Sequence, residues 1–368
     1  MVTQELRDSH QSYQSPLLHL PHASLPQGDD DLPEYRAVAW HYGDPLREQR
    51  AFSKANRGFV DQSHRRFIKV SGTDAATYLH TLFSQKLDDL APGTTTQALD
   101  LDAQGRILHQ ITVSRIGEDF YLDVSAPQWE SLVTYLTRMV FWSQVSISTP
   151  DLGFLSLVGG EVTQHQDIVD KLNTAHLLVA SRYSHWGVPT YDVIVERSEL
   201  LDVAHTLISL EYMPVGFMAY TAERVKALAP MAGIDLDDKS IPHESALLVE
   251  QAVCLNKGCY RGQETVARVA NLGQSPRALV LLQLDGSAPR LPRTGEPVMV
   301  RNRSVGRVGS VVHDHDYGPI ALALIKRSAL ASSELSVAEA GVVIDPDSLP
   351  HEESIKPGRA AINKLKGN

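Results

Sequence analysis

Hydrophobic period changes character once along this chain, near Pro276, and the two sides call for different architectures. Before it, strands and helices alternate. Phe67-Ile68-Lys69-Val70 reads as a strand halted by Ser71-Gly72, and Thr73-Asp74 then caps a helix through Ala75–Phe83. Strand-like runs follow at Thr95–Leu101, Arg106–Val113 and Phe120–Val124. Ser125-Ala126-Pro127 opens a helix whose Trp129, Leu132, Val133, Leu136 and Met139 share one apolar face. A second succession of similar length has strands near Gly153–Val158, His176–Ala180 and Tyr191–Val195, and a helix over Glu199–Ile208. Strand, helix, strands, helix is an α+β pattern with mostly antiparallel pairing. After Pro276 only short strands remain (Ala278–Leu284, Pro297–Val300, Val305–Val312, Ile320–Leu324, Leu335–Ala338). Gly, Pro, Asp and Asn turns separate them, as in a small barrel or sandwich.

The ends differ from the middle. Residues 1–34, broken by Pro16, Pro21, Pro26 and Gly28-Asp29-Asp30-Asp31, read as a loosely ordered arm. Residues 346–368 read as a solvated tail. With 368 residues the chain is long enough for two or three domains and needs no disulfide staple. Its two cysteines, Cys254 and Cys259, exclude a disulfide scaffold and a four-cysteine zinc ribbon. The formal charge of −10 argues against a broad nucleic-acid surface, so no direct nucleic-acid binding is expected. No run approaches the roughly 18 apolar residues of a membrane span, and Glu5 and Asp8 stand where a signal peptide would be basic. A cytoplasmic chain with reduced thiols and no membrane partner is expected.

One stretch carries unusual chemistry: Lys257-Gly258-Cys259-Tyr260-Arg261-Gly262-Gln263-Glu264. Two glycines bracket a cysteine, so the backbone there is free to turn tightly or to approach a ligand. Lys257 and Arg261 flank the thiol, and nearby cations favour the reactive thiolate. On residues alone Cys259 is either a reactive thiol or a plain loop thiol. Cys254, within Ala252-Val253-Cys254-Leu255, reads as core filler.

This octet resembles the signature of the YgfZ family, folate-binding relatives of the glycine-cleavage aminomethyltransferase. The resemblance extends from about Phe59 to Asp345. It includes Ile68-Lys69-Val70-Ser71-Gly72-Thr73-Asp74, Leu101-Asp102-Ala103-Gln104-Gly105-Arg106 and Ile241-Pro242-His243-Glu244. It implies two interleaved ferredoxin-like α+β domains over residues 35–275, split near 150, and a C-terminal β-barrel over 276–345, all around a central folate channel. It also implies tetrahydrofolate or a one-carbon derivative as cofactor. The implied role is assembly or repair of iron–sulfur enzymes, with iron–sulfur enzymes or assembly factors as partners and an indirect effect on transfer-RNA modification. Cys259 would be the essential thiol.

The chain departs from the transferases in two places. Where they carry a paired acidic motif, this sequence has His109 and Gln110. Without that carboxylate a developing iminium cation loses electrostatic stabilisation on the order of a hundred-fold in rate, so aminomethyl transfer is disfavoured. A tetrahydrofolate-dependent one-carbon transferase is the alternative reading. Tyr220 is the leading pterin contact, with Arg224 on the same segment as a second cofactor-binding candidate. Lys226 stands where the transferases have a glutamate. It cannot accept hydrogen bonds, and suits instead the carboxylates of a glutamate tail. His313-Asp314-His315-Asp316 reads as a polar turn rather than a metal site, since no third ligand is visible by spacing.

Overall fold

The structure is a computed structural model of the chain, and it describes residues 13–26, 33–160, 167–168, 172, 179–185 and 188–350. Residues 1–12 and 27–32 of the expected arm, the tail from 351, and residues 176–178 of an expected strand lie outside the described residues. The chain divides into two compact units. The first comprises Met1–Tyr78, Asp88–Thr96 and Ile111–Glu223, and the second Leu79–Leu87, Gln97–Gln110 and Arg224–Asn368.

In chain order the first ten strands are β1 (Arg57–Asp61), β2 (Arg66–Ser71), β3 (Thr95–Leu101), β4 (Ile107–Ile116) and β5 (Asp119–Val124), then β6 (Ser146–Ser148), β7 (Leu152–Gly159), β8 (Val179–His185), β9 (Val188–Glu196) and β10 (Met213–Val215). The helices among them are α1 (Pro45–Glu48), α2 (Ala75–Leu82), α3 (Ala126–Arg138), α4 (Leu200–Ser209) and α5 (Phe217–Lys226). One five-stranded sheet runs β10-β1-β7-β9-β8, and another runs β3-β4-β5-β2-β6. β1 pairs parallel with β10, and the other registered pairs of both sheets are antiparallel. The pattern is the expected α+β one. β1 was not legible as a strand, because Arg57-Gly58-Phe59-Val60-Asp61 is short and does not alternate: all but Arg57 are buried.

Local chemistry explains the elements. β7 is buried along its whole length and is apolar but for Ser156, whereas β4 alternates over its first half. α3 starts at Ala126 with Pro127 in its first turn, where a missing N–H costs nothing. It buries Trp129, Leu132, Val133 and Leu136, the face expected from their spacing, each contributing about 1.5–3 kcal/mol. The Trp129 indole N–H donates to the Phe67 carbonyl at 3.1 Å and so ties the helix to β2.

The expected loose arm is corrected over residues 13–26. Ser15 caps the 3₁₀ turn Pro16–His19, its amide donates to Ala37 at 2.8 Å, and its hydroxyl donates to Asp61. Leu17 and Leu20 are buried in the same core as Phe59, Leu155, Leu157 and the inner face of α4. Two single anchoring leucines give no period to read, so composition alone pointed the wrong way.

Asp192 on β9 accepts a hydrogen bond from Ser156 at 2.5 Å, and Gln62 donates to that hydroxyl at 3.2 Å. Burial, aided by Asp123, pushes its carboxyl up to about 7. A raised carboxyl favours the folded state most below its unfolded value near 3.8, and that advantage is lost as pH rises through about 7. Asp192→Asn is therefore expected to flatten the fall of melting temperature between pH 4 and 7, where the native carboxyl loses stability at up to about 1.4 kcal/mol for each pH unit. A melt series with an unchanged slope would refute this.

The second unit contains α6 (Ala246–Ala252), α7 (Gln263–Leu272) and strands β11 (Arg277–Leu284), β12 (Pro297–Val300), β13 (Arg303–Asp314), β14 (Gly318–Lys326), β15 (Leu335–Val337) and β16 (Ala340–Ile344). The six strands close into a barrel in the order β11-β14-β13-β12-β15-β16. Its interior holds Val280, Leu282, Val298, Val308, Ala323, Ile325 and Val337. β16 was missed because its hairpin turns through Ala338 at φ +49°, where glycine or asparagine would have signalled a turn.

Candidate functional site

The octet lies in the second unit, and its backbone is fixed from both sides. The Lys257 ammonium donates to the carbonyls of His80, Phe83 and Gln85, the last at 3.1 Å. These are orphan acceptors at and just past the C-terminus of α2, where a cation is doubly favoured. The same ammonium lies 5.0 Å from the Tyr260 ring centre. Four residues on, Arg261 donates from Nε to the Leu101 carbonyl and from Nη2 to Asp100 Oδ1 at 2.6 Å. Asp100 is fully buried, and its other oxygen meets His109 Nδ1 at 2.7 Å. One buried carboxylate thus links β3, β4 and the octet.

The two cations that flank the thiol are thus also anchors of the loop. Spacing could not show this, because Lys257's acceptors lie more than 170 residues away in sequence. Gln263 closes the loop on itself, its Nε2 donating to the Lys257 carbonyl at 3.4 Å. Tyr260 is buried, and burial followed by the charge of Cys254 pushes its hydroxyl up to about 12. Cys254 is half-buried rather than core, its amide donating to the Ser84 carbonyl at 2.9 Å. Between the anchors, Gly258 and Cys259 are exposed. Glu264 pairs with Arg268 at 3.2 Å on the surface of α7.

The two glycines differ. Gly262, at φ +83°, precedes α7, and a Cβ there would stand 2.6 Å from the Asp102 carbonyl oxygen and 3.0 Å from Gly105 Cα. A Cβ on Gly258 would meet open space. The Asp102–Arg106 turn is itself tight: Asp102 Oδ1 accepts from the amides of Gln104 and Arg106, both at 2.8 Å. Gly262→Ala is expected to cost roughly 1–3 kcal/mol and to lower the melting temperature, whereas Gly258→Ala leaves it unchanged. Equal melting temperatures for the two variants would contradict the packing described.

Gln110 has a job that a carboxylate cannot do. Its Nε2 donates to the Pro230 carbonyl at 3.1 Å, and its Oε1 accepts from the Ala232 amide at 2.9 Å. Arg224, expected at a cofactor, is 2% exposed. Its guanidinium donates to the Ala229 carbonyl at 2.7 Å, to Asp235 at 2.6 Å and to Ser310. Its place here is that of a buried clamp. Tyr220, in the first unit, is 7% exposed and stacks on Phe217, ring centres 5.3 Å apart. Phe217 also packs against Tyr35, Trp40 and His64. Lys226 pairs with the buried Asp314 at 2.9 Å. Burial raises that carboxyl, but the Tyr317 amide and Lys226 outweigh it and hold it below the usual range. β13 ends at Asp314, so His315 and Asp316 lie in the turn that follows. Asp314 Oδ1 holds that turn through the amides of Asp316 and Tyr317.

Among the described residues no helix is long and apolar enough to cross a membrane. The chain matches the model of the GCVT N-terminal domain over residues 35–257 and that of the CAF17 C-terminal beta-barrel domain over residues 277–351. It is 25% identical over 291 residues to a chloroplastic protein of Arabidopsis thaliana named as a transferase, spanning 73% of this chain and 65% of that one. It is 28% identical over 245 residues to the tRNA-modifying protein YgfZ of Edwardsiella ictaluri, spanning 64% and 72%. The fold matches the glycine cleavage system aminomethyltransferase T of Bartonella henselae with a TM-score of 0.73 at 17% identity, over 89% of this chain and 94% of that one. An α+β body, a closed six-stranded barrel and these matches agree: the chain belongs to the GCVT family, as a YgfZ-type member related to the glycine-cleavage aminomethyltransferase.

Proposed function

We propose that this chain is a folate-binding accessory protein that supports assembly or repair of iron–sulfur enzymes, and affects transfer-RNA modification indirectly, with Cys259 as its essential thiol. The observation that carries the reading is the construction of the octet loop. Lys257 and Arg261 hold it rigidly, while the thiol between them is exposed. A thiol held outward on a fixed loop suits a macromolecular or cluster-bearing partner better than a small substrate that must be enclosed. The chain works in the cytoplasm, where its two free cysteines stay reduced.

Tetrahydrofolate or a one-carbon derivative is the cofactor that family membership favours. Tyr220 is the pterin contact this reading adopts, because an aromatic face suits a pterin ring.

The fold match keeps a one-carbon transferase as the second reading. His109 and Gln110 oppose it, and the carboxylate that the structure does bring to that strand pair, Asp100, is already held by His109 and Arg261. The test is expression of the full chain in a bacterium deleted for its own YgfZ relative. Restored activity of iron–sulfur enzymes is expected. Soluble, folded protein that restores none of it would overturn the proposal.

A further inference from the structure

The second unit contains a cavity of about 550 Å³, within the usual range of roughly 300–1,000 Å³ for small-molecule sites. Neither Tyr220, Arg224 nor any residue of the octet lines it. Its apolar wall is built by Leu228, Leu247, Val249, Val269, Leu279 and Leu349, and polar side chains line the rest. Leu228 holds φ +55°, a left-handed backbone that costs a leucine about 1–2 kcal/mol. Such strain is retained where the surrounding structure uses it.

Three carboxylates and one guanidinium line the cavity, and they differ in how each is answered. Glu244 faces it but is answered in full by Arg277, which donates to both carboxylate oxygens at 2.8 and 3.0 Å. Arg327 faces it too and has no carboxylate partner among the described residues. Its Nε donates to the Ser275 carbonyl at 2.9 Å, and Nε and Nη2 both reach Ser275 Oγ at 3.4 Å. Ser275 is buried, and its hydroxyl donates to the Arg277 carbonyl at 2.7 Å, which turns its lone pairs toward Arg327. The guanidinium is thus held in one orientation, and among the described residues Nη1 has no acceptor. Glu250 and Asp347 also line the cavity, but both are exposed to water, where screening weakens them.

We propose that this cavity is a binding site for an apolar-bodied organic monoanion, its carboxylate seated on Arg327 and its body against Leu228, Leu247 and Val269. Arginine suits this because its planar fork matches a carboxylate and it keeps its charge when partly buried. The His243 imidazole lies in the same wall, where it can flank the head group.

The experiment uses the full chain and 1-anilinonaphthalene-8-sulfonate, an apolar dye with one anionic group, followed by fluorescence and displaced with decanoate. Saturable one-site binding is expected, competed by decanoate and unaffected by tetrahydrofolate. Arg327→Gln should weaken dye and decanoate binding about tenfold or more while the protein still melts cooperatively. Leu247→Trp should fill the cavity and abolish binding; if that variant fails to fold, Arg327→Gln alone decides. The proposal is overturned by absence of saturable binding. It is equally overturned if Arg327→Gln leaves the affinity intact, since the dye then sits elsewhere, or if tetrahydrofolate displaces the dye, since the cavity would then belong to the cofactor.

Discussion

Cys259→Ser is expected to reduce rescue of iron–sulfur enzyme activity to the level of the empty deletion strain while leaving the melting temperature unchanged. The side chain is exposed and a Cβ-preserving swap there removes no packing, so the stability change should fall within about 0.5 kcal/mol. Cys254→Ser is the internal control and should retain rescue, because that side chain is half-buried behind the loop rather than presented by it. Thiol titration with a chromogenic disulfide should show one fast cysteine in the wild type and none in Cys259→Ser. Full rescue by Cys259→Ser would remove the thiol from the account, whatever the folate result.

The second large effect falls on the clamp beneath α5. Arg224 and Asp235 form a buried ion pair at 2.6 Å, with side chains 3% and 0% exposed. Asp235 also accepts from the amides of Met231 at 2.8 Å and Ser310 at 2.7 Å, and so joins α5, the 229–235 loop and β13. Arg224→Ala leaves a buried carboxylate without its cation, a loss of about 3–5 kcal/mol. At roughly 2–4 °C per kcal/mol for a unit of this size, the melting temperature should fall by about 6–20 °C with no folate present. This outcome separates two roles for the residue. A direct cofactor contact at an otherwise idle guanidinium would leave the ligand-free melt unchanged and weaken only folate binding.

The contrast between Arg224 and the octet shows which parts of the site a sequence exposes. The octet was visible because eight contiguous residues of unusual type need no partner to be noticed, and the α+β succession and the barrel were visible because period is local. What local pattern could not supply was direction. Lys257 points to carbonyls at the end of α2, and Arg261 to Asp100, about 160–177 residues away in the chain. Both contacts exist only once the second unit has folded, and they make the two cations beside the thiol the struts that hold its loop. Asp100 itself attracted no notice in Gln97-Ala98-Leu99-Asp100-Leu101, because a single acid in a strand is unremarkable until its partners are known. The Ala338 turn and the Leu17–Leu20 anchor failed for the opposite reason: each uses residues whose types do not advertise what their backbone or burial does.

The most direct test of the account is an anaerobic calorimetric titration of the full chain with tetrahydrofolate. Saturable one-to-one binding in roughly the micromolar range, about −8 kcal/mol, is the result expected of a YgfZ-type folate protein. It should be retained in Cys259→Ser, since the exposed thiol is assigned to a partner and not to the cofactor. Absence of heat up to millimolar ligand, from protein that melts cooperatively, would contradict the folate half of the proposal.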